Sequence, residues 1–355
     1  MRESHNPCVR EALLYEALSN EAVQCGTCER RCKIELGKRG FCGSRQNFDG
    51  RLYSVTYGDL SSISMNPIEK KPLFHYWPGS VAASAGSWGC SLKCVYCQNY
   101  SLSMVEADFE RSSYVSPENL VDLALRKNAK GLSFTFNESS STLLEYMIDC
   151  FRISRRKGLY CNLNTNMYMT LESLELMRNA GLDSVCIDIK GDLAFYKQYC
   201  NEADVEFVWR NAKEARKRGL HLEMVNLVIP GANDFRDCVE EIIGRTRDSL
   251  GAETPLHFTR YYPAYRAQEY GLMRTTPVET LEWARRKAVE SELRYVYIGN
   301  VPGHPWENTY CPNCRTLLIK RHVFSILKYT VTSDKHCPEC GERIRIEGES
   351  IAQDS

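Results

Sequence analysis

Three cysteines lie within eight residues of the segment GCSLKCVYCQNY, at residues 89–100. Cys90, Cys94 and Cys97 form a CxxxCxxC pattern. Thiolates are soft ligands that suit iron–sulfur clusters and zinc, and a four-iron cluster normally takes four of them. A missing ligand is a defect in a structural site, whereas a catalytic site keeps one coordination position open for substrate or cofactor. The pattern therefore predicts a four-iron cluster with one free iron.

A second group of four cysteines occurs in CPNC and CPECG, and we call it the C-terminal quartet: Cys311, Cys314, Cys337 and Cys340. Two CxxC pairs at this separation are typical of a closed, tetrahedral zinc site, with iron as the competing metal. The pattern predicts a small zinc-ribbon-like module that is stabilised by metal, because such modules have little core of their own.

A third group follows the spacing CxxCxxxC-x9-C, and we call it the N-terminal quartet: Cys25, Cys28, Cys32 and Cys42. Four thiols again permit a closed site, but the irregular spacing suits zinc and an iron–sulfur cluster almost equally. The six scattered cysteines are predicted to be small core residues: Cys8, Cys150, Cys161, Cys186, Cys200 and Cys238.

Apolar, β-branched runs alternate with longer helical patterns in the middle of the chain, which predicts a parallel sheet in an α/β fold. The predicted strands are 81–86, 131–136, 159–164, 183–189, 220–229, 255–261 and 294–298. The array is shorter than the ~250 residues of a full eight-unit barrel. We predict a partial, TIM-like (β/α)6 barrel over 81–303, an N-terminal cysteine-rich module and connector over 1–80, and a C-terminal module over 304–355.

Polar residues accumulate where the predicted strands end. In parallel βα folds the active site lies at that end of the sheet, built by loops from several strands. The candidate site residues from these positions are Asn137, Glu138, Asn164, Asn166, Asp188, Lys190 and Asn300.

Composition excludes several classes. Lysine plus arginine (45) equals aspartate plus glutamate (45), so the strong basic field of a dedicated nucleic-acid binder is absent. No long apolar segment predicts export or membrane spanning. A large chain of this kind uses clustered cysteines for metal or catalysis more often than for disulfides, and we expect a cytoplasmic protein.

The CxxxCxxC pattern after the first strand of a βα array, with Tyr96 before its last cysteine, resembles the radical SAM superfamily. The resemblance covers most of residues 81–303. It implies that the three cysteines bind a [4Fe-4S] cluster whose free iron chelates S-adenosylmethionine. Reductive cleavage would give a 5′-deoxyadenosyl radical that abstracts hydrogen from a substrate. Such chemistry belongs to the cofactors, while the protein positions them.

The resemblance also implies roles for individual residues. Tyr96 would lie near the adenine, and Asn137 and Glu138 in FTFNE would contact the methionine amino group. Further cofactor-site positions would be Asn164, Asn166, Asp188, Lys190 and Asn300.

Segments along nearly the whole chain, including NPIEKKPLFHYWPGS and YIGNVPGHPWENTYCPNC, resemble the AmmeMemoRadiSam-system radical SAM enzymes. That family is similar to pyruvate formate-lyase activating enzymes. The resemblance implies Memo-like and AMMECR1-like partners and an electron donor such as flavodoxin or ferredoxin, but no substrate. In activating enzymes with extra clusters the added cysteines typically follow the radical motif, whereas here the N-terminal quartet precedes it.

The sequence therefore predicts a radical SAM enzyme with an unidentified substrate. One alternative within this chemistry is activation of a glycyl radical enzyme. The alternative from another class is a non-enzymatic, metal-stabilised module that binds RNA or protein.

Overall fold

The computed structural model describes residues 6–349. Contacts between Cα atoms group the chain into two compact units. Within residues 6–349, the first unit consists of residues up to 65, 82–184 and 200–203, and the second of 66–81, 185–199 and those from 204 onwards. The predicted division into three consecutive segments remains a prediction.

The first unit begins with six short strands, which form two antiparallel three-stranded sheets in the orders β1-β6-β5 and β2-β3-β4. The strands are β1 Arg10–Glu11, β2 Tyr15–Ala17, β3 Val23–Cys25, β4 Lys33–Ile34, β5 Arg45–Phe48 and β6 Arg51–Ser54. The N-terminal quartet therefore lies in and around the second of these small sheets.

The remaining strands of the first unit belong to the largest sheet, which has eight strands in the described residues. They are β7 Ser62–Pro67, β8 Val81–Gly86, β9 Gly131–Phe134 and β10 Tyr160–Thr165, in the order β10-β9-β8-β7. The pairs β8–β9 and β9–β10 are parallel. The helices of this unit are α1 Tyr100–Ser103, α2 Pro117–Arg126, α3 Ser139–Thr142, α4 Leu144–Arg156 and α5 Leu171–Ala180.

Side-chain oxygens of three adjacent strands form a polar layer inside this sheet. Ser84 pairs with Ser133, and Ser133 pairs with Asn162. The Ser133 hydroxyl donates to Asn162 Oδ1 at 2.6 Å, and all three residues are fully buried. Because a buried polar group is destabilising unless it is hydrogen-bonded, the bond between Ser133 and Asn162 constrains the register of β9 and β10, which lead to the candidate site. The Ser84 hydroxyl has no hydrogen-bond partner among the described residues.

In the second unit the order of the strands is β14-β13-β12-β11, and both β12–β13 and β13–β14 are parallel. The strands are β11 Ser184–Asp188, β12 His221–Val228, β13 Leu256–Arg260 and β14 Val296–Gly299. The helices are α6 Leu193–Tyr199, α7 Val205–Lys217, α8 Arg236–Arg245 and α9 Val278–Glu290. A small antiparallel sheet follows, in the order β15-β16-β17, with β15 Thr309–Tyr310, β16 Leu317–His322 and β17 Ser325–Tyr329.

All seven predicted strands are present, with ends that differ by at most two residues from the prediction. Strands buried on both faces read as nearly continuous apolar runs, which is why the sequence revealed them. The β7 strand was missed, because its residues SISMNP are mostly half-exposed and carry no apolar run. The parallel α/β architecture is confirmed.

A buried carboxylate ties the beginnings of two strands in the second unit to a preceding segment. Glu223 accepts hydrogen bonds from the His75 amide at 2.7 Å, and its oxygens lie 3.1 and 2.8 Å from the ring nitrogens of His221 and His257. Burial by itself would raise the pKa of Glu223, but the hydrogen bonds from both histidines hold it well below its ordinary value. The carboxylate is therefore ionised and structural.

Candidate active site

The three-cysteine loop follows β8, and glycine allows it to lie against the N-terminal module. Gly89 has φ +83°, and a Cβ atom there would overlap the Cys42 carbonyl oxygen. Only glycine meets both requirements. Within the loop, the Cys97 amide donates to the Cys94 carbonyl at 3.2 Å, and the Leu92 amide donates to Cys90 Sγ at 3.4 Å. The loop thus turns tightly around its thiols.

Asn137, which follows β9, holds the start of this loop. Its Oδ1 accepts from the Ser87 amide at 3.0 Å, and its Nδ2 donates to the Gly89 carbonyl at 2.9 Å and to Thr142 Oγ1 at 3.2 Å. These contacts use both the oxygen and the nitrogen of the side-chain amide. Asn137 therefore fixes the backbone immediately before Cys90.

Glu138 connects the ends of β9 and β10. Its carboxylate accepts from the Ser140 hydroxyl at 2.5 Å, from the Thr165 hydroxyl at 2.8 Å and from the Asn166 amide at 2.6 Å. The side chain is 3% exposed. Three donors satisfy a buried carboxylate, so Glu138 fixes the position of the residues that follow each strand.

Asn166 extends this arrangement to the thiols. Its Nδ2 donates to Ser91 Oγ at 3.2 Å and approaches Cys90 Sγ at 3.8 Å. Burial, together with the nearby Cys94 and Glu138, raises the pKa of Cys90 to about 12. A thiol with so high a pKa is neutral at physiological pH, so metal binding must displace its proton. Four predicted residues, Cys90, Asn137, Glu138 and Asn166, therefore meet in the first unit.

Two residues that the sequence did not single out for this site clamp the loop from outside. Arg30 donates from Nε to the Ser91 carbonyl at 2.8 Å and from Nη2 to the Cys200 carbonyl at 3.0 Å. Asn201 donates to the carbonyls of Leu92 and Lys93 at 2.8 and 2.7 Å. These contacts span 61 to 170 residues of sequence, and no local pattern marks them.

Cys200, which was predicted to be a core residue, lies beside the loop. It is fully buried, as predicted, but its Sγ is 3.4 Å from Cys94 Sγ and 3.8 Å from the Tyr96 hydroxyl. A fourth thiol therefore touches one of the three loop cysteines, and Tyr96 packs in the same place. Cys200 lies more than 100 residues from the motif in the sequence, so no local pattern predicts this contact.

Backbone strain collects around the loop and the strand ends. Lys93, Phe136 and Met167 have φ values of +48°, +73° and +58°. Residues other than glycine, asparagine and aspartate rarely adopt this left-handed conformation. Each lies in the loop or in a segment that follows β9 or β10. Strained residues of this kind persist where surrounding contacts enforce them, and they cluster at functional sites.

The other predicted site residues lie at or just beyond the ends of β10, β11 and β14. Asn164 is the fifth residue of β10 and is partly exposed. In the second unit, Lys190 Nζ lies 3.6 Å from the half-exposed carboxylate of Asp188. Asn300 has φ +58° and donates to the Arg260 carbonyl at 3.0 Å. Asp188 is the last residue of β11, Lys190 follows that strand, and Asn300 follows β14.

The C-terminal quartet forms a compact cage. Its four sulfurs lie within 4.8 Å of one another. Sγ–Sγ distances are 3.6 Å for both Cys311–Cys340 and Cys314–Cys337. Tetrahedral zinc with bonds of about 2.3 Å requires sulfurs about 3.8 Å apart. The arrangement therefore suits one tetrahedrally bound ion.

Comparisons with known proteins agree with the site. The family model described as the radical SAM superfamily matches residues 87–244, which contain the cysteine loop. An uncharacterised protein of Methanocaldococcus jannaschii is 44% identical over 340 residues, covering 95% of this chain and 99% of that protein. The chain belongs to the radical SAM superfamily. The prediction of an enzyme is confirmed, and the superfamily implies a [4Fe-4S] cluster and S-adenosylmethionine as cofactors of this radical SAM enzyme.

Solved structures show more distant similarity to this radical SAM enzyme. A domain of pyruvate-formate lyase-activating enzyme from Bacteroides vulgatus has 15% identity and a TM-score of 0.41, covering 48% of this chain and all of that domain. A radical SAM methyltransferase from Sphaerobacter thermophilus has 14% identity and a TM-score of 0.45, covering 63% of this chain and 68% of that one. Neither likeness identifies a substrate. In residues 6–349, no helix has the length and apolar character needed to cross a membrane.

Proposed function

We propose that Cys90, Cys94 and Cys97 ligate a [4Fe-4S] cluster that binds and reductively cleaves S-adenosylmethionine, in order to remove a hydrogen atom from an unidentified substrate. The supporting observation is the donor set: three thiols on one tight loop whose conformation is fixed from several sides. Three thiolates leave one of four irons open. The residues present fit the cofactor that the superfamily implies.

The bound cofactors supply one-electron chemistry, and the chain supplies their positions. Asn137 holds the backbone before Cys90, and Arg30 and Asn201 hold the backbone between Cys90 and Cys94. Precise placement of reacting groups contributes much of the rate in enzymes generally. We assign these three residues as positioning residues.

Asn166 and Glu138 act on the thiols themselves. Hydrogen bonds to ligand sulfur and the burial of a site are the main protein controls over the reduction potential of an iron–sulfur cluster. Asn166 directs an N–H towards Cys90 Sγ, and Glu138 fixes Asn166 through its backbone amide. Glu138 therefore acts through Asn166, as well as being a proposed contact for the methionine amino group.

The remaining assignments complete the proposal. Tyr96 is proposed to lie near the adenine, and the further cofactor contacts are Asn164, Asp188, Lys190 and Asn300. We propose zinc for the C-terminal quartet, because its sulfur spacing suits a single tetrahedral ion. A low-potential donor such as flavodoxin or ferredoxin would supply electrons, and Memo-like and AMMECR1-like proteins are proposed partners on the basis of the sequence resemblance.

The experiment is an assay of S-adenosylmethionine cleavage. After anaerobic reconstitution with iron and sulfide and reduction with dithionite, the wild-type enzyme should release 5′-deoxyadenosine. Cys94→Ala should reduce this release to background. Cys150→Ala, which alters a fully buried cysteine within α4, should retain it.

Two outcomes would count against the proposal. A wild-type protein that contains a reducible four-iron cluster and yet forms no 5′-deoxyadenosine would contradict the proposed chemistry. Turnover that survives Cys94→Ala would contradict the ligand assignment and leave the superfamily membership intact.

A further inference from the structure

The N-terminal quartet encloses a small cavity inside the first unit. All four cysteines line it, together with Thr27, Arg30, Phe41, Arg45 and a few neighbours. Cys25, Cys28 and Cys42 are buried, and Cys32 is partly exposed. The thiols are thus turned towards a common interior space and away from bulk water.

A backbone amide donates to one of these thiols. The Phe41 amide lies 3.5 Å from Cys32 Sγ. N–H donors of this kind stabilise thiolate ligands. Four thiols that line one cavity, with an N–H already directed at one of them, suit a bound metal group.

Two buried polar groups on the cavity wall lack partners. The Arg45 guanidinium uses Nε for the Ser141 carbonyl and Nη1 for the Glu145 carboxylate, but its Nη2 has no hydrogen-bond acceptor. The Thr27 hydroxyl also has none. Both side chains are 1% exposed. Unsatisfied buried donors are rare in native proteins, and a group absent from the coordinates is one of their ordinary explanations.

The separation of the thiols decides which metal group fits. Within residues 6–349, the close grouping of ligand atoms within 4.8 Å of one another is found for the C-terminal quartet and not for the N-terminal one. A single zinc ion needs sulfurs about 3.8 Å apart. A cluster spreads its thiolates over several irons, so it needs a wider cage around a central space.

The two donors without hydrogen-bond partners, Arg45 Nη2 and Thr27 Oγ1, also favour a cluster over a zinc ion. A zinc ion bound by four thiolates brings no acceptor atoms besides the thiolates themselves. An iron–sulfur cluster adds inorganic sulfides, which accept hydrogen bonds from surrounding N–H and O–H groups. Arg45 Nη2 and Thr27 Oγ1 are the donors available to such sulfides.

We propose that Cys25, Cys28, Cys32 and Cys42 hold a second [4Fe-4S] cluster, closed by four thiolates and hydrogen-bonded by Arg45 and Thr27. Of the two metal groups that the N-terminal spacing suits, zinc and an iron–sulfur cluster, this proposal selects the cluster. A closed four-thiolate cluster has no open iron, so this site takes up one electron at a time and does not bind substrate.

The test counts iron, acid-labile sulfide and zinc per chain in the full-length protein, after anaerobic reconstitution in the presence of both metals. Wild type should contain about eight irons, as two four-iron clusters require. The triple variant C90A/C94A/C97A should keep about four irons and give the paramagnetic resonance signal of a reduced [4Fe-4S] cluster. The double variant C25A/C28A should also keep about four irons, since only the loop cluster remains.

A matched control and a conservative variant separate misfolding from loss of ligands. C8A/C150A removes two buried cysteines from the same unit and should keep all of the iron. In the triple-variant background, Thr27→Val should keep the iron but shift the midpoint potential, because it removes one donor to the cluster. A buried threonine with a purely structural role would leave the potential unchanged.

Each contrary result has a distinct meaning. Iron absent from the triple variant, together with one zinc in addition to that of the C-terminal quartet, would overturn the proposal. A wild type with four irons that disappear in C25A/C28A and persist in the triple variant would support this inference while contradicting the proposed loop cluster. The two proposals can therefore fail separately.

Discussion

The N- and C-terminal quartets have the same four ligands but differ in geometry. In the C-terminal quartet the sulfurs already touch at 3.6 Å, and Cys314 and Cys340 are exposed. In the N-terminal quartet the thiols surround a cavity, and the charged pair of Arg45 and Glu145 lies next to it in the interior. Two sites with four cysteines each can therefore suit different metal groups, because the distances between the sulfurs determine how many metal ions fit among them.

The difference also concerns what each quartet packs against. The C-terminal module has a core of seven buried residues, two of which are quartet cysteines. The N-terminal quartet instead packs against a loop of a large parallel sheet. The C-terminal cysteines are therefore part of the core of a small module, whereas the N-terminal quartet adjoins the loop that carries Cys90.

The largest expected effect is the loss of the C-terminal module when one of its thiols is removed. In Cys337→Ala the zinc content should fall by one equivalent, and residues 309–346 should become sensitive to protease. Structural zinc sites contribute roughly 10 kcal/mol or more to folding. Metal analysis and limited proteolysis measure both effects. Cys238→Ala, at a buried position in the same unit, should change neither, and an unchanged zinc content in Cys337→Ala would contradict the assignment.

The next effect concerns the charge beside the N-terminal quartet. Arg45→Met should lower the free energy of unfolding by about 3–5 kcal/mol, because it leaves the buried Glu145 carboxylate without its cation. Arg45 Nη1 lies 2.7 Å from that carboxylate. The control is Arg315→Met, at an exposed position beside the C-terminal quartet, which should change stability by no more than about 0.5 kcal/mol. Denaturant titration measures the free energy of unfolding of both variants. Equal losses would show that the buried arginine beside the N-terminal quartet contributes no more to stability than the exposed one beside the C-terminal quartet.

A smaller effect depends on pH. His75 Nδ1 donates to the Arg345 carbonyl oxygen beside the C-terminal module, and burial lowers the pKa of His75 from 6.5 to about 4. Below pH 6.5 the unfolded chain binds a proton here that the folded chain does not, so stability falls until about pH 4. The loss amounts to about 3 kcal/mol.

The measurement is the free energy of unfolding of wild type and His75→Gln between pH 4 and 7. The variant should lose less stability than wild type over this interval, since other groups titrate equally in both. The exposed His322 provides the matched control, and His322→Gln should follow the wild-type curve. Identical slopes for wild type and His75→Gln would show that this imidazole titrates normally.

The smallest effect compares two glycines of the first unit. Gly37 has φ +74° and open space around it, so Gly37→Ala should cost about 1–2 kcal/mol from backbone strain alone. Gly89→Ala should cost at least about 1 kcal/mol more, because its methyl group would also overlap the Cys42 carbonyl. Thermal unfolding measures the difference. Equal costs would mean that the loop and the N-terminal quartet do not press against each other.

Much of the fold was predictable from the sequence, because the seven strands are short, largely apolar runs that alternate with longer helical patterns. The candidate site was predictable where chemistry sits in a short motif, as in Cys90, Cys94 and Cys97. Contacts between distant segments were not predictable. Arg30 carries no local signal of its hydrogen bonds to the loop, and Cys200 resembles any other buried cysteine.

Two further features needed the folded chain. Asn137 uses both the oxygen and the nitrogen of its side-chain amide to hold the loop and Thr142, which no sequence pattern indicates. Its contact with the cofactor stays a prediction. For the N-terminal quartet, the spacing CxxCxxxC-x9-C fixes how many residues separate the thiols along the chain and not how far apart the sulfurs lie. The metal group proposed for this quartet therefore rests on the structure.

The contact between Gly89 and the Cys42 carbonyl has a consequence for how the enzyme matures in the cell. Cys42, the last thiol of the N-terminal quartet, and Gly89, the residue before Cys90, are in close backbone contact. The cluster proposed for the quartet would order residues 25–42 and with them the surface against which the loop folds. We therefore expect iron delivered to the N-terminal quartet to prepare the chain for the proposed loop cluster.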